Sequence, residues 1–361
     1  LLSLSRVINN KNSLPILSCF LFQVKDNVLT ITASDSENVM KTTIELTEHD
    51  GDGEFAVQSQ TILDAVKELP EQPLTLNVNL DEHVIYLTYQ NGSYHFPVQS
   101  AEEYPREQEM GENASKFALD AQVLSSAISR SLFAAAQDEL RPVMNGIYIN
   151  LQPSSLTFVG TDAHKLVKYE SETENDITAS FILPKKPANL LKTVLLKEED
   201  AITVSFDSKN AMFRLKSHTL VCRLIEGNYP NYNAVIPSNN PNKVLVDRIE
   251  LVNGIKRVAV CSNPTTNLIR MDIADNRINL TAQDIDFSVS ANETISCSYD
   301  GQPIEIGFKS TFLVEILSNM ETPTVVIELA DSTRAGVFKP VYDDKQTFSS
   351  LMLLMPMMIN A

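Results

Sequence analysis

One pattern occurs three times along the 361 residues, and this repetition constrains the fold more than any other feature of the chain. Each copy contains an alternating apolar strand, an aspartate and a second strand, as in NVLTITASDSENVMKTTIEL, SSLTFVGTDAHKLVKYESET and NRINLTAQDIDFSVSANETI. The aspartates are Asp35, Asp162 and Asp284, separated by 127 and 122 residues. A repeat this long indicates a duplicated domain, because solenoid units are only about 20–50 residues long.

Other markers recur in the same order and at a similar spacing. Helix-like segments occur in AVQSQTILDAVKELP, ILPKKPANLLKTVLL and IGFKSTFLVEILSNM, with their apolar pairs 128 and 122 residues apart. LPIL at Pro15 matches RPVM at Pro142, and EEYP ending at Pro105 matches GNYP ending at Pro230. Several markers in one order predict a three-fold internal duplication.

Each copy is predicted to fold as helix, strands, helix, strands. Apolar residues at helical spacing predict helices over 1–11, 59–69, 120–136, 184–196, 246–262 and 309–320. Polar, turn-rich segments at 106–115 and 237–244 separate the copies. The predicted fold class is α+β, with three repeated domains over 1–112, 113–238 and 239–361, each with two helices packed on antiparallel sheets.

Composition and cysteine usage indicate a globular cytoplasmic protein. The apolar content of 43% and charged content of 21% are typical of folded chains, and no run of 18 apolar residues occurs. The cysteines lack C-x-x-C spacing, so we expect reduced thiols and no zinc site. They are Cys19, Cys222, Cys261 and Cys297.

The charge of the chain is divided unevenly between helices and the rest. The net charge of −17 argues against a protein coated in nucleic acid. The six predicted helices nevertheless contain 11 basic and 6 acidic residues, a net +5, which leaves −22 for the remainder. Lysine suits helices in general, but glutamate suits them equally and is scarce in these segments. The division favours a shared helical surface that faces a polyanion.

Simple geometry suggests which polyanion fits such a surface. If two chains close into a ring with two-fold symmetry, their helices, twelve in all, line the hole. At about 10 Å between helix axes, the circumference is ~120 Å and the diameter ~38 Å. Subtracting one helix thickness of ~10 Å leaves an aperture of roughly 28 Å. A DNA duplex about 20 Å across fits this aperture with a layer of water.

The chain finishes on the apolar run MLLMPMMINA, which is unusual because chain ends commonly fray into solvent. The run is too short to span a membrane, which needs about 20 residues, and Pro356 interrupts any helix. It therefore either packs into a core or forms part of a binding surface.

These residues together resemble the bacterial β sliding clamps, the family of processivity subunits of DNA polymerase III. The resemblance covers essentially the whole chain and rests on LPIL, TDAHKL at 161–166, YPNY at 229–232 and the terminal LLMPMM. It implies a head-to-tail homodimeric ring around duplex DNA, of which one chain forms half. It also implies that a first β-strand of about ten residues precedes this sequence.

The resemblance further implies a pocket for short linear motifs of partner proteins, with the terminal run as one wall. Methionine suits a site that accepts many partners, because its side chain is flexible and polarizable. This family commonly has Gly where Ala163 stands, Arg where Lys165 stands and Arg-Leu where Met358-Ile359 stand, so we expect changes at the rim rather than in the apolar floor. The implied pocket residues are Met144, Thr161, Ala163, His164, Lys165, Leu166, Pro230, Ala234, Val235, Leu353, Leu354, Met355, Pro356, Met357 and Met358.

The resemblance also implies DNA contacts, a subunit interface and a set of partners. The implied DNA contacts are Lys11, Gln137, Arg141, Lys185 and Lys186. Val260 and Cys261, near the end of the fifth predicted helix, are expected at the dimer interface between domain one and domain three. The expected partners are double-stranded DNA, the catalytic subunit of DNA polymerase III, the clamp loader, other polymerases and repair proteins. No cofactor or metal is expected.

Two other classes of function compete with this interpretation. An enzyme could use Asp162 and His164 as an acid–base pair, but no nucleophile accompanies them and no phosphate-binding glycine motif occurs. A repeat adaptor that does not bind DNA is the second alternative. A clamp stays on circular DNA and slides off linear DNA, whereas an adaptor is indifferent to DNA topology.

Overall fold

The order of helices and strands confirms the prediction of three α+β repeats. The structure, a computed structural model, describes residues 1–9, 14–106, 110–111 and 114–359. In the second and third repeats a strand and a helix precede four strands, a second helix and three more strands. The first repeat has the same order, but its described residues contain no strand before the first helix.

The three repeats contain 23 strands and six α-helices within the described residues. The first repeat contains α1 Leu2–Ser5, β1 Cys19–Lys25, β2 Val28–Ser34, β3 Asn38–Glu45, β4 Gly53–Gln58, α2 Ser59–Lys67, β5 Thr75–Asn79, β6 Val84–Tyr89 and β7 Gly92–Gln99. The second contains β8 Ser115–Asp120, α3 Ala121–Ser131, β9 Gly146–Gln152, β10 Ser155–Thr161, β11 Lys165–Glu172, β12 Ala179–Pro184, α4 Lys185–Leu195, β13 Ala201–Phe206, β14 Asn210–Arg214 and β15 His218–Arg223. The third contains β16 Asn242–Asp247, α5 Arg248–Ala259, β17 Leu268–Ala274, β18 Arg277–Asp284, β19 Val289–Ser298, β20 Ile304–Lys309, α6 Ser310–Ser318, β21 Thr324–Leu329, β22 Gly336–Pro340 and β23 Phe348–Leu354.

All six predicted helices lie where the periodicity places them, but the first is much shorter than expected. The predicted helix over 1–11 extends only from Leu2 to Ser5, residues 6–9 are not helical, and residues 10–11 lie outside the described part. Asn9 and Asn10 are poor helix formers, and helices of one or two turns depend on packing rather than propensity.

The strands form two large antiparallel sheets, each within its own compact unit. The first unit, Leu1–Ser125 with Lys186–Leu224, contains an eleven-stranded sheet in the order β5-β6-β7-β4-β1-β2-β3-β15-β14-β13-β8. The second unit, Ser126–Lys185 with Ile225–Ala361, contains a twelve-stranded sheet in the order β12-β9-β10-β11-β23-β22-β21-β16-β19-β18-β17-β20. The second repeat therefore contributes four strands to each sheet.

Consecutive repeats are joined by strand pairing in both units. In the first unit β3 pairs with β15, from Asn38↔Cys222 to Thr42↔His218. In the second unit β11 pairs with β23, from Lys165↔Leu354 to Ser171↔Phe348. In each case the third strand of a four-stranded group joins the last strand of the following repeat, so one rule governs both junctions.

Alternation along the strands separates core from solvent. In β13 and β21 every second residue is buried, as expected for antiparallel strands with one face on the core. Helices α3 and α5 begin at aspartates whose carboxylates accept backbone N–H groups: Asp120 from Gln122 and Val123, and Asp247 from Glu250. Among the described residues no helix is long and apolar enough to cross a membrane.

One glycine allows the close approach that positions the site described below. Gly160 lies in β10 against the end of α3, and a Cβ at this position would overlap the carbonyl group of Ser131. A glycine is therefore required one residue before Thr161, the first residue of the TDAHKL segment.

Candidate functional site

A small apolar cluster lies where the second and third repeats join. Its buried members are Val159, Leu166, Ala335 and Leu353. Leu166 of β11 and Leu353 of β23 are cross-strand partners, so the junction itself brings them together. The half-buried residues packed against it are Tyr148, Tyr229, Tyr232 and Ile236. We call these eight residues the apolar floor.

The tyrosines of the floor are held by stacking and by one hydrogen bond. The rings of Tyr148 and Tyr229 are stacked, with centroids 4.8 Å apart, and Tyr232 is tilted against Tyr148 at 6.0 Å. The hydroxyl group of Tyr229 donates to the carbonyl oxygen of Val159 at 3.3 Å. Burial raises the pKa of both Tyr229 and Tyr232, which keeps them neutral. The result is a rigid aromatic wall beside aliphatic side chains.

The predicted pocket residues occupy different environments. Leu166 and Leu353 belong to the floor, whereas Leu354 and its neighbour Met352 belong to the main core of the third repeat. Successive strand residues point to opposite faces, so Leu353 and Leu354 cannot both line one surface. Met144 and Thr161 are buried. The exposed members are Ala163, His164, Pro230, Ala234, Val235, Met355 and Met358.

The terminal run continues from β23 and is tied to the site by its backbone. The N–H of Met355 donates to the carbonyl oxygen of His164 at 2.9 Å. Two residues later, Met357 forms an isolated antiparallel bridge with Gly307, and its N–H donates to the glycine carbonyl at 2.8 Å. The side chains of Met355 and Met358 remain exposed although backbone contacts at Met355 and Met357 hold the run. The run therefore connects the end of β23 to β20 and also presents apolar surface.

The TDAHK turn is built around two side-chain oxygens. One carboxylate oxygen of Asp162 accepts the backbone N–H groups of His164 at 2.9 Å and Lys165 at 2.8 Å. The hydroxyl of Thr161 donates to the carbonyl of Lys165 and accepts from the N–H of Ala163. Asp35 binds the backbone of its own turn in the same way, through Glu37 and Asn38. The repeated aspartate is thus a turn-forming residue.

Two details of this turn bear on its predicted roles. Ala163 has φ of 73°, in the left-handed region that favours glycine, which agrees with glycine being common there in the family that the chain resembles. The ring of His164 stacks on Phe312, with centroids 5.9 Å apart, and the Asp162 carboxylate binds the backbone of His164. The Asp162 carboxylate therefore serves to form the turn, which differs from the acid–base role with His164 that the enzyme alternative requires.

Lys165 lies at the centre of a partly buried charge cluster beneath the turn. Its side chain is only 6% exposed, and its ammonium lies 2.7 Å from Asp162 and 3.1 Å from Glu315 of α6. The same ammonium lies 4.4 Å from the ring centroid of Phe312, which Lys309 approaches at 4.7 Å. A buried cation needs such partners because desolvation is costly. Lys165 therefore anchors the turn to α6.

Burial and the contacts within the cluster shift the pKa of Asp162 and of Lys185. Burial alone raises the pKa of Asp162, but hydrogen bonds from the Lys165 side chain and from the backbone of Lys165 and His164 outweigh it, so the net pKa is lowered. Burial, followed by repulsion from Lys165, lowers the pKa of Lys185. The Asp162 carboxylate is thus stabilised in its charged form.

The variant Asp162→Asn is expected to lower the melting temperature at pH 7 by roughly 2 to 4 °C. A lowered folded-state pKa gives stability that is present above the unfolded value of about 3.9 and is lost as the pH falls through the folded value. The difference from wild type should therefore shrink below about pH 4. Thermal melts from pH 7 to pH 3 measure it, with the exposed Glu174→Gln as control. A difference independent of pH would contradict the assignment.

The floor includes residues that sequence reasoning did not place in the site. Tyr229 and Tyr232 belong to the YPNY motif, so a signal for them existed in the sequence. Tyr148, Val159, Ala335 and Ile236 carry no such signal, because only strand pairing and loop packing bring them to the floor.

The predicted DNA contacts are partly engaged within the protein. Arg141 forms an ion pair with Asp138 at 2.8 Å, beside the exposed Gln137. Lys186 lies 2.5 Å from Asp35 and also donates to the carbonyl of Val7. Lys185 begins α4, and Lys11 lies outside the described residues.

The predicted interface residues follow α5. Val260 is 82% exposed, while Cys261 is half-buried and its N–H donates to the carbonyl of Val258. A highly exposed valine at a helix end is available to a partner surface. All four cysteines are free thiols.

Three sequence profiles of the DNA polymerase III beta subunit match consecutive parts of the chain. The N-terminal domain profile matches residues 1–108, the central domain profile 118–231 and the C-terminal domain profile 233–357. The beta sliding clamp of Pseudomonas putida is 26% identical over 353 residues, which cover 97% of this chain and 94% of that protein. That of Synechococcus elongatus is 27% identical over 369 residues, covering 99% and 96%.

Solved structures of sliding clamps have the same fold as this chain. The DNA polymerase III beta subunit of Thermotoga maritima superposes with a TM-score of 0.91 at 27% identity, covering 99% of this chain and 96% of that one. The sliding clamp of Pseudomonas aeruginosa, solved bound to griselimycin, has a TM-score of 0.93 at 23% identity with the same coverage. The fold is therefore that of a clamp with three repeated domains.

The identification follows from the profiles, which together span nearly the whole chain. The chain belongs to the DNA polymerase III beta subunit family, the β-type sliding clamps of DNA replication.

Proposed function

We propose that two copies of this chain form a head-to-tail homodimeric ring that encircles duplex DNA and tethers the replicative polymerase for processive synthesis. In this proposal the three domains extend over 1–112, 113–238 and 239–361, and the protein acts in the cytoplasm without catalysing a reaction. Its partners are the polymerase catalytic subunit, the clamp loader, other polymerases and repair proteins.

The observation that carries the proposal is the repeated junction together with two strand edges. Both internal junctions pair the third strand of one group with the last strand of the next repeat. Within the described residues β19 pairs with β18 along its length but with β16 only at Cys297 and Ser298. Likewise β7 pairs with β6 up to Pro97 and with β4 only at Val98 and Gln99.

The open edges of β19 and β7 correspond to the two kinds of strand that pair at the internal junctions, where the third strand of a four-stranded group pairs with the last strand of another repeat. β19 is the third strand of its group, and β7 is the last strand of the first repeat. The rule therefore predicts pairing of β19 with β7 of a second copy, and two such pairings close a ring. Unpaired strand edges are otherwise an aggregation hazard that proteins cover.

The apolar floor is the proposed docking site for partner motifs. The floor consists of aromatic and aliphatic side chains, and the exposed residues Val235 and Met355 extend its apolar surface. A partner would insert an apolar anchor of the Leu-Phe type against the floor and direct polar groups to His164 at the rim. Buried apolar anchors usually carry most of the binding energy in such sites.

The test of the ring is the dependence of DNA retention on DNA topology. Protein loaded on a closed circular plasmid should remain bound at high salt and should be lost when the plasmid is cut once, because a ring slides off free ends. A protein that binds phosphates directly should dissociate with salt from both forms. Absence from both forms would favour the adaptor alternative, and equal retention on circular and linear DNA would refute the topological ring.

The triple variant Arg141→Ala, Lys185→Ala and Lys186→Ala is expected to weaken direct binding to primed DNA and to flatten its salt dependence. Each lost phosphate contact reduces the slope of log K against log salt by about 0.9. The existing ion pairs of Arg141 and Lys186 must be exchanged for phosphate contacts, which keeps those contacts weak.

Retention on closed circles should be unchanged in the triple variant, because topology rather than charge holds the ring. Anisotropy with primed DNA and gel filtration of loaded plasmids measure the two properties separately. Rapid loss of the loaded variant from closed circles would refute the topological account.

A further inference from the structure

The turn between β18 and β19 exposes two large apolar side chains. Ile285 is 79% exposed and Phe287 is 75% exposed. The pair Gln283↔Ser290 encloses six residues, whereas the equivalent pairs Ser34↔Val39 and Thr161↔Leu166 enclose four, because the third hairpin contains one further pair, Asp284↔Val289. We call residues 284–289 the third turn, after the equivalent first and second turns at 35–38 and 162–165. Its hairpin is one residue pair longer than the other two, and apolar residues occupy its exposed tip.

The first and second turns each contact the second helix of the following repeat. In the first turn Asp35 pairs with Lys186, the second residue of α4. In the second turn Lys165 pairs with Glu315 of α6, and His164 stacks on Phe312 of the same helix. Both contacts lie beside the strand pairing that joins the repeats, and both include an ion pair.

The helix that corresponds to α4 and α6 for the third turn is α2 of another copy. Counted from the helix start, Lys186 corresponds to Gln60, and Phe312 and Glu315 correspond to Thr61 and Asp64. Asp64 is already bound to Lys67 at 2.7 Å and to Gln60 at 2.8 Å. The start of α2 thus offers the third turn no cation equivalent to Lys186.

We propose that Ile285 and Phe287 form an apolar contact with the first turns of α2 in a second copy of this chain, replacing the ion pairs of the two internal junctions. The inference rests on the proposed head-to-tail assembly and adds which side chains hold it. Half-buried Leu63 and Val66 on α2 provide apolar surface for this contact. The additional pair Asp284↔Val289 extends the hairpin by one residue on each strand.

An apolar junction has a measurable consequence for assembly. Ion pairs between exposed groups weaken as salt shortens the Debye length from about 10 Å at 0.1 M to about 3 Å at 1 M. Burial of apolar surface does not depend on such screening. In the third turn the exposed charge is Asp286, and α2 offers it only Lys67, which is engaged with Asp64. The dimer should therefore be insensitive to sodium chloride.

Sedimentation equilibrium of the full chain at about 0.1 M and about 1 M sodium chloride tests this inference. The wild-type dimer Kd should change less than about twofold between the two salts. Ile285→Ser and Phe287→Ser should each raise Kd at least about tenfold, because each removes an apolar anchor. Leu196→Ser, at an exposed position after α4, is the matched control and should leave Kd unchanged.

The outcomes separate this inference from the proposed ring. Two results would overturn the apolar contact without refuting the proposed ring: a wild-type dimer that dissociates only at high salt, or turn variants with wild-type Kd. A wild-type chain that is monomeric at all concentrations would refute the head-to-tail assembly itself. Thermal melts of each variant establish that loss of dimer is not loss of fold, since Ile285 and Phe287 lie outside the core.

Discussion

Removal of the residues from Met355 onward is expected to abolish binding of a partner peptide while the chain stays folded. The deletion takes away the exposed side chains of Met355 and Met358 and two backbone contacts, to His164 and Gly307. Leu353 and Leu354, which complete β23 and the core, remain. Loss of apolar anchors worth about 2 kcal/mol each predicts affinity at least about 100-fold weaker. Fluorescence anisotropy with a labelled peptide that ends in Leu-Phe measures this.

A point variant guards against a general loss of stability. Val235→Asp introduces a charge on exposed apolar surface next to Ile236 of the floor, without removing any core side chain. It should also weaken the peptide at least about tenfold, whereas Leu196→Asp at an exposed position after α4 should have no effect. Sedimentation of the same proteins reports the dimer. Unchanged peptide affinity in a folded, truncated dimer would rule out the floor as the docking site.

Val260→Asp is expected to convert the dimer to monomers. Val260 is highly exposed directly after α5, and burying an unpaired carboxylate in an interface costs several kcal/mol. A dimer Kd at least about 100-fold higher follows, since each factor of ten corresponds to about 1.4 kcal/mol. Cys261→Asp should act in the same direction, and because its side chain is half-buried it should also lower the melting temperature of the monomer.

Ile249→Asp provides the matched control for this prediction. It changes another exposed apolar residue of the same helix, in its first turn, where an acidic side chain suits the helix dipole. Analytical ultracentrifugation over a concentration series distinguishes the variants. Dimers of wild-type affinity in both Val260→Asp and Cys261→Asp would remove this end of α5 from the interface.

The repeated fold was predictable because its signals are local and periodic. Helical spacing located all six helices, and alternation located the paired strands around Asp35, Asp162 and Asp284. The end of α1 was not predictable in this way, because a short helix is set by packing and its apolar pattern continues past Ser5. Leu353 and Leu354 looked equivalent in sequence, and only the strand pairing separates their faces.

The candidate site was predictable only in part, because its key contacts join distant segments. The family resemblance places Lys165 at the rim of the pocket, but Glu315 and Phe312, 150 and 147 residues away, make it a buried anchor. Tyr148 likewise gains its role from stacking on Tyr229. Periodicity reports which face of a strand is buried, and it carries no information about which residues from other repeats share that face.

The second repeat shows that the unit of ancestry and the unit of cooperativity need not coincide. Duplication copied about 125 residues at a time, whereas hydrogen bonding gathers β8 and β13–β15 into one sheet and β9–β12 into the other. The strands of one sheet should unfold together, so the boundary between the two unfolding units lies inside the second repeat rather than at a repeat boundary. A cut between the first and second repeats would leave β3 and β15 without each other, and a cut between the second and third would separate β11 from β23. Fragments with such unpaired strand edges would tend to aggregate by pairing with other chains.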